Sequence, residues 1–170
     1  MDKPNYKDFT LKSVILDSKK TEMKLMKVGA KFIGEDEQED RYFKVSNGKL
    51  KFRRGTLGSL ITHYERIVAD GIEKTVVYRY DINPNPEAIR ELYTGSILIG
   101  LVKKRRRLYQ LDNITIHIDE LPNGSKYLEV EAKDFDGDYT EVALAKQCQT
   151  FIKKLDIGVD NLVKTGYLSS

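Results

Sequence analysis

The sequence predicts an α+β fold in which antiparallel strands close into a β-barrel and helices pack against the outside of the barrel. Seven stretches alternate between apolar and polar residues, as strands do, and three stretches have helical periodicity. Several of the strands also have one apolar face and one ionic face. With 170 residues, of which 40% are hydrophobic, residues 1–170 are expected to form a single domain with one core.

The first part of the chain begins with a predicted strand at 8–16. A helix is expected from about Ser18 to Val28, where Gly29 ends it. The acidic sequence EDEQED (35–40) is expected to form a solvated loop, because runs of like charge are usually exposed. Alternation resumes at 41–54.

In the middle of the chain, alternation predicts strands at 59–68 and 74–83. The sequence NPEAIRELYTG then predicts a short helix. Asn85 is its expected N-cap, Pro86 occupies the first helical position and Gly95 lies just beyond the end.

The last part of the chain has predicted strands at 97–111, 113–121 and 126–133, followed by a helix from about Thr140 to Leu155. The apolar stripe of this helix consists of Val142, Leu144, Ala145, Cys148, Phe151, Ile152 and Leu155. Three short sequences are typical of hairpin turns: SNG (46–48), ADG (69–71) and LPNG (121–124).

Composition limits the class of protein. The single cysteine, Cys148, cannot form an internal disulfide and is expected to be a buried structural thiol, which fits a reducing compartment. The N-terminal sequence is too polar for a secretory signal, and no apolar run approaches membrane-spanning length. A cytoplasmic protein without a membrane partner is therefore expected. The net charge of only +3 argues against a protein that coats DNA.

The sequence LVKKRRRLYQ (101–110) contains five consecutive cations. Such a run could be a nuclear-localisation or nucleic-acid patch, a solvated charge run, or one wall of a polyanion site. Because the run lies in a predicted strand, Lys104 and Arg106 share one face, and Lys103, Arg105 and Arg107 share the other.

Other predicted strands also have an ionic face. Lys51 and Arg53 share a face of one strand, and Glu129 and Glu131 share a face of another. Each face alone is best explained by contact with solvent. In a closed barrel with helices over the apolar faces, however, the ionic faces would line the interior. There, cations could hold phosphate oxygens, and carboxylates could hold Mg²⁺ or Mn²⁺ bridging to the phosphates.

An ordered set of motifs carries a resemblance to a known family: NGKLKFR, YER, KKRR, HID, LEVE and GYL, spread over nearly the whole chain. The chain resembles the CYTH family, also called triphosphate tunnel metalloenzymes, which includes class IV adenylyl cyclases, thiamine triphosphatases and inorganic triphosphatases. The resemblance implies a tunnel-like barrel, a small-molecule triphosphate or nucleotide as ligand, and Mg²⁺ or Mn²⁺ as cofactor.

The resemblance also implies roles for individual residues. Lys12 and Arg66 would be catalytic. Residues that bind the substrate would be Lys51, Arg53, Arg66, Lys104 and Arg106. Metal ligands would be Asp8, Asp119, Glu129 and Glu131. His117 is expected to be a hydrogen-bonded structural histidine. Tyr64 and Tyr78 are expected to pack in the core or the wall.

The chain departs from the family at its N-terminal ExExK signature. The matching sequence is DFTLK (8–12), with Asp8 and Thr10 in place of the two glutamates and Lys12 retained. Thr10 supplies no anionic oxygen, so the metal site loses charge. The His-Phe pair that commonly precedes the signature in the cyclases corresponds here to Asp2-Lys3, which argues against a cyclase.

Three functions remain open at this stage. The chain could be a metal-dependent triphosphatase, an adenylyl cyclase that uses the ribose 3′-hydroxyl as nucleophile, or a non-catalytic binder of a nucleotide or polyphosphate. The loss of a carboxylate at Thr10 motivates the third. The sequence leaves the oligomeric state open.

Overall fold

The computed structural model describes residues 6–69 and 72–168, which form an antiparallel β-barrel with helices on its outside. The strands are β1 (Lys7–Val14), β2 (Lys31–Phe43), β3 (Lys49–Gly55), β4 (Ser59–Ala69), β5 (Ile72–Ile82), β6 (Leu98–Leu111), β7 (Ile114–Glu120), β8 (Lys126–Asp134) and β9 (Leu162–Val163). The helices are α1 (Ser18–Lys27), α2 (Pro86–Gly95) and α3 (Glu141–Lys154), with a short 3-10 helix at Val159–Asn161.

The barrel closes through β1. The strands follow the order β5-β4-β3-β2-β6-β7-β8-β1, and β1 also pairs with β5. On that edge of β1, Asp8 to Thr10 pair with β5, while Lys12 and Ser13 pair with β9. The predicted closed barrel is confirmed, although the sequence did not indicate β9, whose two residues are too few to show a period.

The helices cover the apolar faces of the strands in two clusters. Leu25 of α1 and Leu144 of α3 pack with β1, β6, β7 and β8, whose buried residues include Val130. Leu92 of α2 packs with Phe43 and other residues of β2, β3 and β4. Between residues 6–69 and 72–168, no helix combines the length and the apolar character needed to cross a membrane.

The helix ends follow the predicted capping chemistry. The Asp17 side chain caps α1 by accepting from Lys20 N, and the chain leaves the helix through Gly29, whose φ is +92°. Asn85 and Thr140 cap α2 and α3 in the same way. Gly95 is the last residue of α2 instead of lying beyond it.

Most of the α3 stripe is confirmed, including Cys148. Its thiol is buried and donates to the carbonyl oxygen of Phe9 at 3.1 Å, as expected of a structural cysteine. Val142 is the exception: its side chain is exposed, because it lies at the start of the helix on the side away from the barrel. The expectation for Val142 was therefore wrong.

The acidic sequence EDEQED is not a solvated loop. It lies inside β2, which starts ten residues earlier than expected, at Lys31. Asp36, Gln38 and Asp40 are buried, while the residues between them point outward. Burial of Asp40 is compensated by cations of the neighbouring strands β3 and β6. Asp36 instead accepts hydrogen bonds from Gln38 and from residues 56 and 57.

Two of the three predicted hairpin turns are confirmed. The SNG sequence joins β2 to β3, and LPNG joins β7 to β8. Gly48 is required in the first turn, because its φ is +69° and a Cβ would come within 2.3 Å of the Tyr64 carbonyl oxygen. The ADG sequence lies between β4 and β5, but its residues 70 and 71 are outside the described residues, so this turn stays a prediction. Asp2 and Lys3 also lie outside the described residues.

Candidate functional site

The cations of β6 divide between the inside and the outside of the barrel, as their alternation predicts. Lys104 and Arg106 are only 4% and 5% exposed. On the outer face, Arg105 pairs with Glu37 at 2.8 Å and Arg107 pairs with Glu22 at 2.6 Å. The run is therefore one strand of the barrel wall, with two of its cations inside.

We call Lys51, Arg53, Lys104 and Arg106 the cationic wall. The first three converge on the buried carboxylate of Asp40. Arg53 donates from Nε and Nη2 to its two oxygens at 2.8 and 2.9 Å, and Lys104 Nζ donates at 2.5 Å. Lys51 Nζ lies 3.9 Å from the same carboxylate. Burial alone would raise the pKa of Asp40, but Arg53 and Lys51 hold that pKa well below its usual range.

Burial has the opposite effect on the lysines of the cationic wall. It lowers the pKa of Lys104 to about 8, and Arg53 and Arg106 act in the same direction. The pKa of Lys51 is also lowered well below its ordinary value, first by burial and then by Arg53. A bound anion would stabilise the charged form of both lysines.

Sequence reasoning missed Asp40. Asp40 shares its strand face with Gln38 and Tyr42, so extending the alternation of 41–54 backwards by a few residues would have found it. The run of acidic residues around it favoured a solvated loop.

Asp119 accepts two hydrogen bonds from Arg106, the fourth cation of the wall. Arg106 Nε and Nη2 donate to its oxygens at 2.7 and 2.8 Å, and the Tyr167 hydroxyl donates to Oδ2 at 2.7 Å. Although burial opposes ionisation, Arg106 holds the pKa of Asp119 below its usual range. The structure thus pairs Asp119 with a cation and does not place it in the group of potential metal ligands described next.

We call Asp8, His117, Glu129 and Glu131 the acidic wall. In the strand register His117 lies opposite Glu129, and Glu131 lies opposite Thr10. Within the described part of the chain, His117, Glu129 and Glu131 form a buried group in which one potential ligand atom from each lies within 4.8 Å of the others. The structure therefore brings together two of the four predicted metal ligands with a histidine.

Burial and mutual repulsion raise the pKa of two of the three carboxyl groups in the acidic wall. Burial, and then Glu131, raises the pKa of Glu129 to about 7. Burial and Glu131 also raise the pKa of Asp8 to about 6. Glu131 differs: burial alone would raise its pKa, but Lys133, 3.1 Å away, acts together with other groups that include Arg66 to hold that pKa well below its usual value.

His117 has one ring nitrogen, Nδ1, that is unpaired within the described residues. It is 4% exposed, and among the described residues its Nδ1 has no hydrogen-bond partner. The nearest carboxylate oxygen, Glu129 Oε1, is 4.0 Å from Nδ1. Burial, and then Arg106, holds the pKa of His117 well below its usual value, so the imidazole is neutral.

The side chains of β1 contribute Asp8, Thr10 and Lys12 to the interior. Thr10 is fully buried, and its hydroxyl donates to Asp8 Oδ1 at 2.8 Å. Lys12 Nζ donates to the carbonyl oxygen of Gly166 at 3.1 Å and lies 3.3 Å from the ring centroid of Tyr167. Burial lowers the pKa of Lys12 to about 8. The C-terminal segment thus covers this predicted catalytic lysine.

Arg66 of β4 lies between the two walls. Its Nη2 is 4.0 Å from Glu131 Oε1, and within residues 6–69 and 72–168 its Nε has no hydrogen-bond partner. Burial opposes its charge, but Glu129 and Tyr64 raise its pKa, so the guanidinium remains charged.

The walls enclose two adjoining cavities of about 200 and 60 Å³. Both are lined by the same polar residues of the two walls and of β4: Lys51, Arg53, Tyr64, Arg66, Arg106 and Glu131. Predicted substrate-binding residues from three strands therefore meet in one interior passage. Their role as ligands for a substrate stays a prediction.

The aromatic residues are divided between inside and outside. Tyr64 is buried and lines the cavities, as expected. Tyr78 is 40% exposed and donates to Glu65 Oε2 at 2.7 Å, so its expected packing in the core or wall was wrong. Tyr6 and Tyr80, which the sequence did not indicate, stack with a centroid separation of 5.7 Å and line the larger cavity.

Similar proteins of known structure share this architecture. A protein of Pyrococcus horikoshii OT3 superposes with a TM-score of 0.76 and 26% identity, covering 92% of this chain and 94% of its own. A Hippeastrum protein, provisionally described as an adenylyl cyclase with a dominant triphosphatase activity, superposes with a TM-score of 0.61 and 10% identity over 88% of both chains.

Sequence comparison agrees with the fold. A Methanocaldococcus jannaschii protein with the provisional name adenylate cyclase is 27% identical over 93% of this chain and 94% of its own. The family model described as the CYTH domain matches residues 10–167, which include the cationic wall, Tyr167 and every residue of the acidic wall except Asp8. The chain therefore belongs to the CYTH domain family.

Proposed function

We propose that the protein is a metal-dependent phosphohydrolase that binds a triphosphate-containing substrate in its interior passage. Inorganic triphosphate, thiamine triphosphate and nucleoside triphosphates are the candidate substrates. One observation carries the proposal: buried cations from β3 and β6 and buried carboxylates of β8 line the same passage. Cations suit phosphate oxygens, and the carboxylates suit the divalent ion that accompanies them.

The cationic wall binds the phosphates. Arg53 and Arg106 are each held by a carboxylate, Asp40 and Asp119, through two hydrogen bonds. This pairing fixes the guanidinium planes and leaves their remaining N–H groups for phosphate oxygens. We therefore assign Asp119 the role of positioning Arg106, in place of the metal-binding role that the family resemblance implies.

The acidic wall fits a divalent ion. Glu129 and Glu131 are both buried, and burial followed by repulsion from Glu131 raises the pKa of Glu129, so a bound cation would stabilise its charged form. Glu129 and Glu131 would hold Mg²⁺ or Mn²⁺, with Asp8 nearby on β1. Such an ion supplies neutralisation of phosphate charge and activation of water. The family match and the donor set together support this cofactor.

Arg66 and Lys12 carry the remaining catalytic roles. Arg66 lies between the walls with a permanent charge, so it neutralises the charge that develops when water attacks the terminal phosphorus in line. Lys12 has a pKa of about 8, which allows proton transfer near neutral pH. Its Nζ contacts Gly166 and Tyr167, which line the smaller cavity.

A second candidate function is adenylyl cyclase activity, which the name of the Methanocaldococcus relative favours. The same passage would hold ATP, and the ribose 3′-hydroxyl would replace water as nucleophile. A third function, binding without catalysis, follows from Thr10, whose hydroxyl is occupied by Asp8 and supplies no anionic ligand. We further propose that residues 1–170 act as one unit in the cytoplasm, in keeping with the free thiol of Cys148.

Product analysis tests the proposal. The protein is incubated with inorganic triphosphate, thiamine triphosphate or ATP, with Mg²⁺, Mn²⁺ or EDTA, and phosphate, pyrophosphate and nucleotides are measured. We expect metal-dependent release of phosphate and, from ATP, formation of ADP. Cyclic AMP with pyrophosphate would establish the cyclase instead. Tight binding without turnover at high Mn²⁺ would establish a binding protein.

A further inference from the structure

We propose that His117 is a metal ligand and that, with Glu129 and Glu131, it makes the site selective for first-row transition ions over Mg²⁺. The inference builds on the proposed metal site, but it concerns a residue to which the family pattern gives no such role. It replaces our expectation of a structural histidine.

Geometry provides the first argument. His117 projects into the interior from β7, directly opposite Glu129 on β8. Two atoms bound to one ion at about 2.1 Å lie at most about 4.2 Å apart. Three atoms that share one tetrahedral or octahedral ion at this distance lie about 3.0–3.4 Å apart, and the potential ligand atoms of the three residues already lie within 4.8 Å, so side-chain movements of about 1 Å bring all three onto one ion.

The vacant Nδ1 provides the second argument. Buried polar atoms in proteins nearly always have a hydrogen-bond partner, and one without a partner requires an explanation. Among the described residues, Nδ1 of His117 has none, although the side chain is 96% buried and faces two carboxylates. A cation bound by Glu129 and Glu131 would use the lone pair of this nitrogen.

Thr10 explains why this chain would recruit an imidazole. It lies opposite Glu131 on β1, where the family signature has a glutamate, and its hydroxyl donates to Asp8. β1 therefore offers no anionic oxygen at this point. His117 approaches the same two glutamates from β7, on the other side of β8. The third ligand therefore comes from β7 instead of β1, and it is a nitrogen atom instead of an oxygen atom.

This exchange of donor atoms changes the preferred metal. Oxygen-only sites suit Mg²⁺, whereas imidazole nitrogen favours transition ions, with affinity rising from Mn²⁺ to Co²⁺. We therefore expect the substrate-free protein to bind Co²⁺ and Mn²⁺ at least about tenfold more tightly than Mg²⁺.

The test measures metal binding without substrate. Calorimetric titrations with Mg²⁺, Mn²⁺ and Co²⁺ compare wild type with His117→Gln and, as a matched control, with His63→Gln. His63 is the only other histidine in the sequence, and its Nε2 contacts the Asn47 carbonyl oxygen on the exposed side of β4. We expect His117→Gln to reduce the Co²⁺/Mg²⁺ affinity ratio at least about tenfold and His63→Gln to leave it unchanged.

Pulsed EPR provides a readout that needs no variant. Mn²⁺ bound to wild type should show nitrogen modulation, and its frequency should change when only histidine is labelled with ¹⁵N. Absence of histidine nitrogen coupling in wild type, or an unchanged affinity ratio in a folded His117→Gln, would overturn the inference. Hydrolysis without this coupling would refute the His117 ligand alone, whereas coupling without hydrolysis would refute the proposed function alone.

Discussion

The two walls of the passage differ in how their charged groups are paired within the protein. In the cationic wall, Arg53 and Arg106 each form two hydrogen bonds with a buried carboxylate. In the acidic wall, burial and then Glu131 raise the pKa of Glu129 to about 7, and Nδ1 of His117 has no hydrogen-bond partner in the part of the chain that the structure describes. Buried charges are costly unless they are paired. The arginines of the cationic wall are thus oriented by carboxylates of the protein, whereas under our proposal the acidic wall gains a partner from a bound cation.

The largest effect is expected from reversing a charge of the cationic wall. Arg106→Glu removes the partner of Asp119 and repels phosphates, so triphosphate affinity should fall by about 100-fold or more. Arg105→Glu, on the outer face of the same strand, should change the affinity by no more than about twofold. Calorimetric titration measures both, and circular dichroism verifies folding. Equal losses would mean that the inner and outer faces do not differ in function.

Removing a charge from the acidic wall should affect the metal more than the phosphates. In Glu131→Gln, Mn²⁺ affinity should fall by about 100-fold, because one ligand oxygen loses its charge. Glu120→Gln, exposed at the end of β7, is the matched control and should bind Mn²⁺ normally. Titration with Mn²⁺ in the absence of triphosphate provides the measurement. Normal Mn²⁺ binding by Glu131→Gln would remove the acidic wall from the metal site.

Triphosphate binding to the cationic wall should weaken as the pH rises above about 8. Lys104 has a pKa lowered to about 8 by burial, so it loses its charge as the pH rises through 8. A bound triphosphate favours the charged form, so binding above pH 8 should take up a proton, and affinity should fall by up to about tenfold per pH unit. Lys104→Arg, which stays charged, should weaken this dependence. The measurement is the triphosphate affinity of wild type and of Lys104→Arg between pH 7 and 10. The same pH dependence in both proteins would contradict the assignment of Lys104 to the phosphate site.

The smallest effect is expected from restoring the family carboxylate on β1. Thr10→Glu places a third glutamate beside Glu131, and it should lower the Mn²⁺ concentration for half-maximal hydrolysis by about 3- to 10-fold. In a protein that only binds its ligand, the same change would weaken triphosphate binding in EDTA through repulsion, without any gain in hydrolysis. Metal titrations of wild type and Thr10→Glu, with hydrolysis and triphosphate binding measured in parallel, distinguish a triphosphatase from a protein that only binds its ligand.

Strand periodicity predicted much of the site. Alternation assigned Lys104 and Arg106 to the inner face of β6 and Glu129 to one face with Glu131, because the side-chain period of a strand is fixed by its backbone. It failed for Asp40, where consecutive acidic residues suggested exposure. The residues that precede and follow Asp40 in the sequence do not reveal that cations of β3 and β6 lie beside it in the fold.

Contacts between distant parts of the chain could not be predicted. Tyr167 donates to Asp119 across 48 positions, and Gly166 accepts from Lys12 across 154. These contacts depend on where β9 pairs with β1, and a strand of two residues has no recognisable pattern. The position of His117 beside two carboxylates likewise depends on the register between β7 and β8, so the sequence alone favoured an ordinary structural histidine.

The most direct test is a crystal structure with Mn²⁺ and a non-hydrolysable triphosphate, in which anomalous scattering locates the metal. The account predicts Mn²⁺ bound by Glu129 and Glu131 at about 2.2 Å, with the phosphates between it and the cationic wall of Lys51, Arg53, Lys104 and Arg106. Phosphates bound outside the passage, or Mn²⁺ bound without either glutamate, would contradict it.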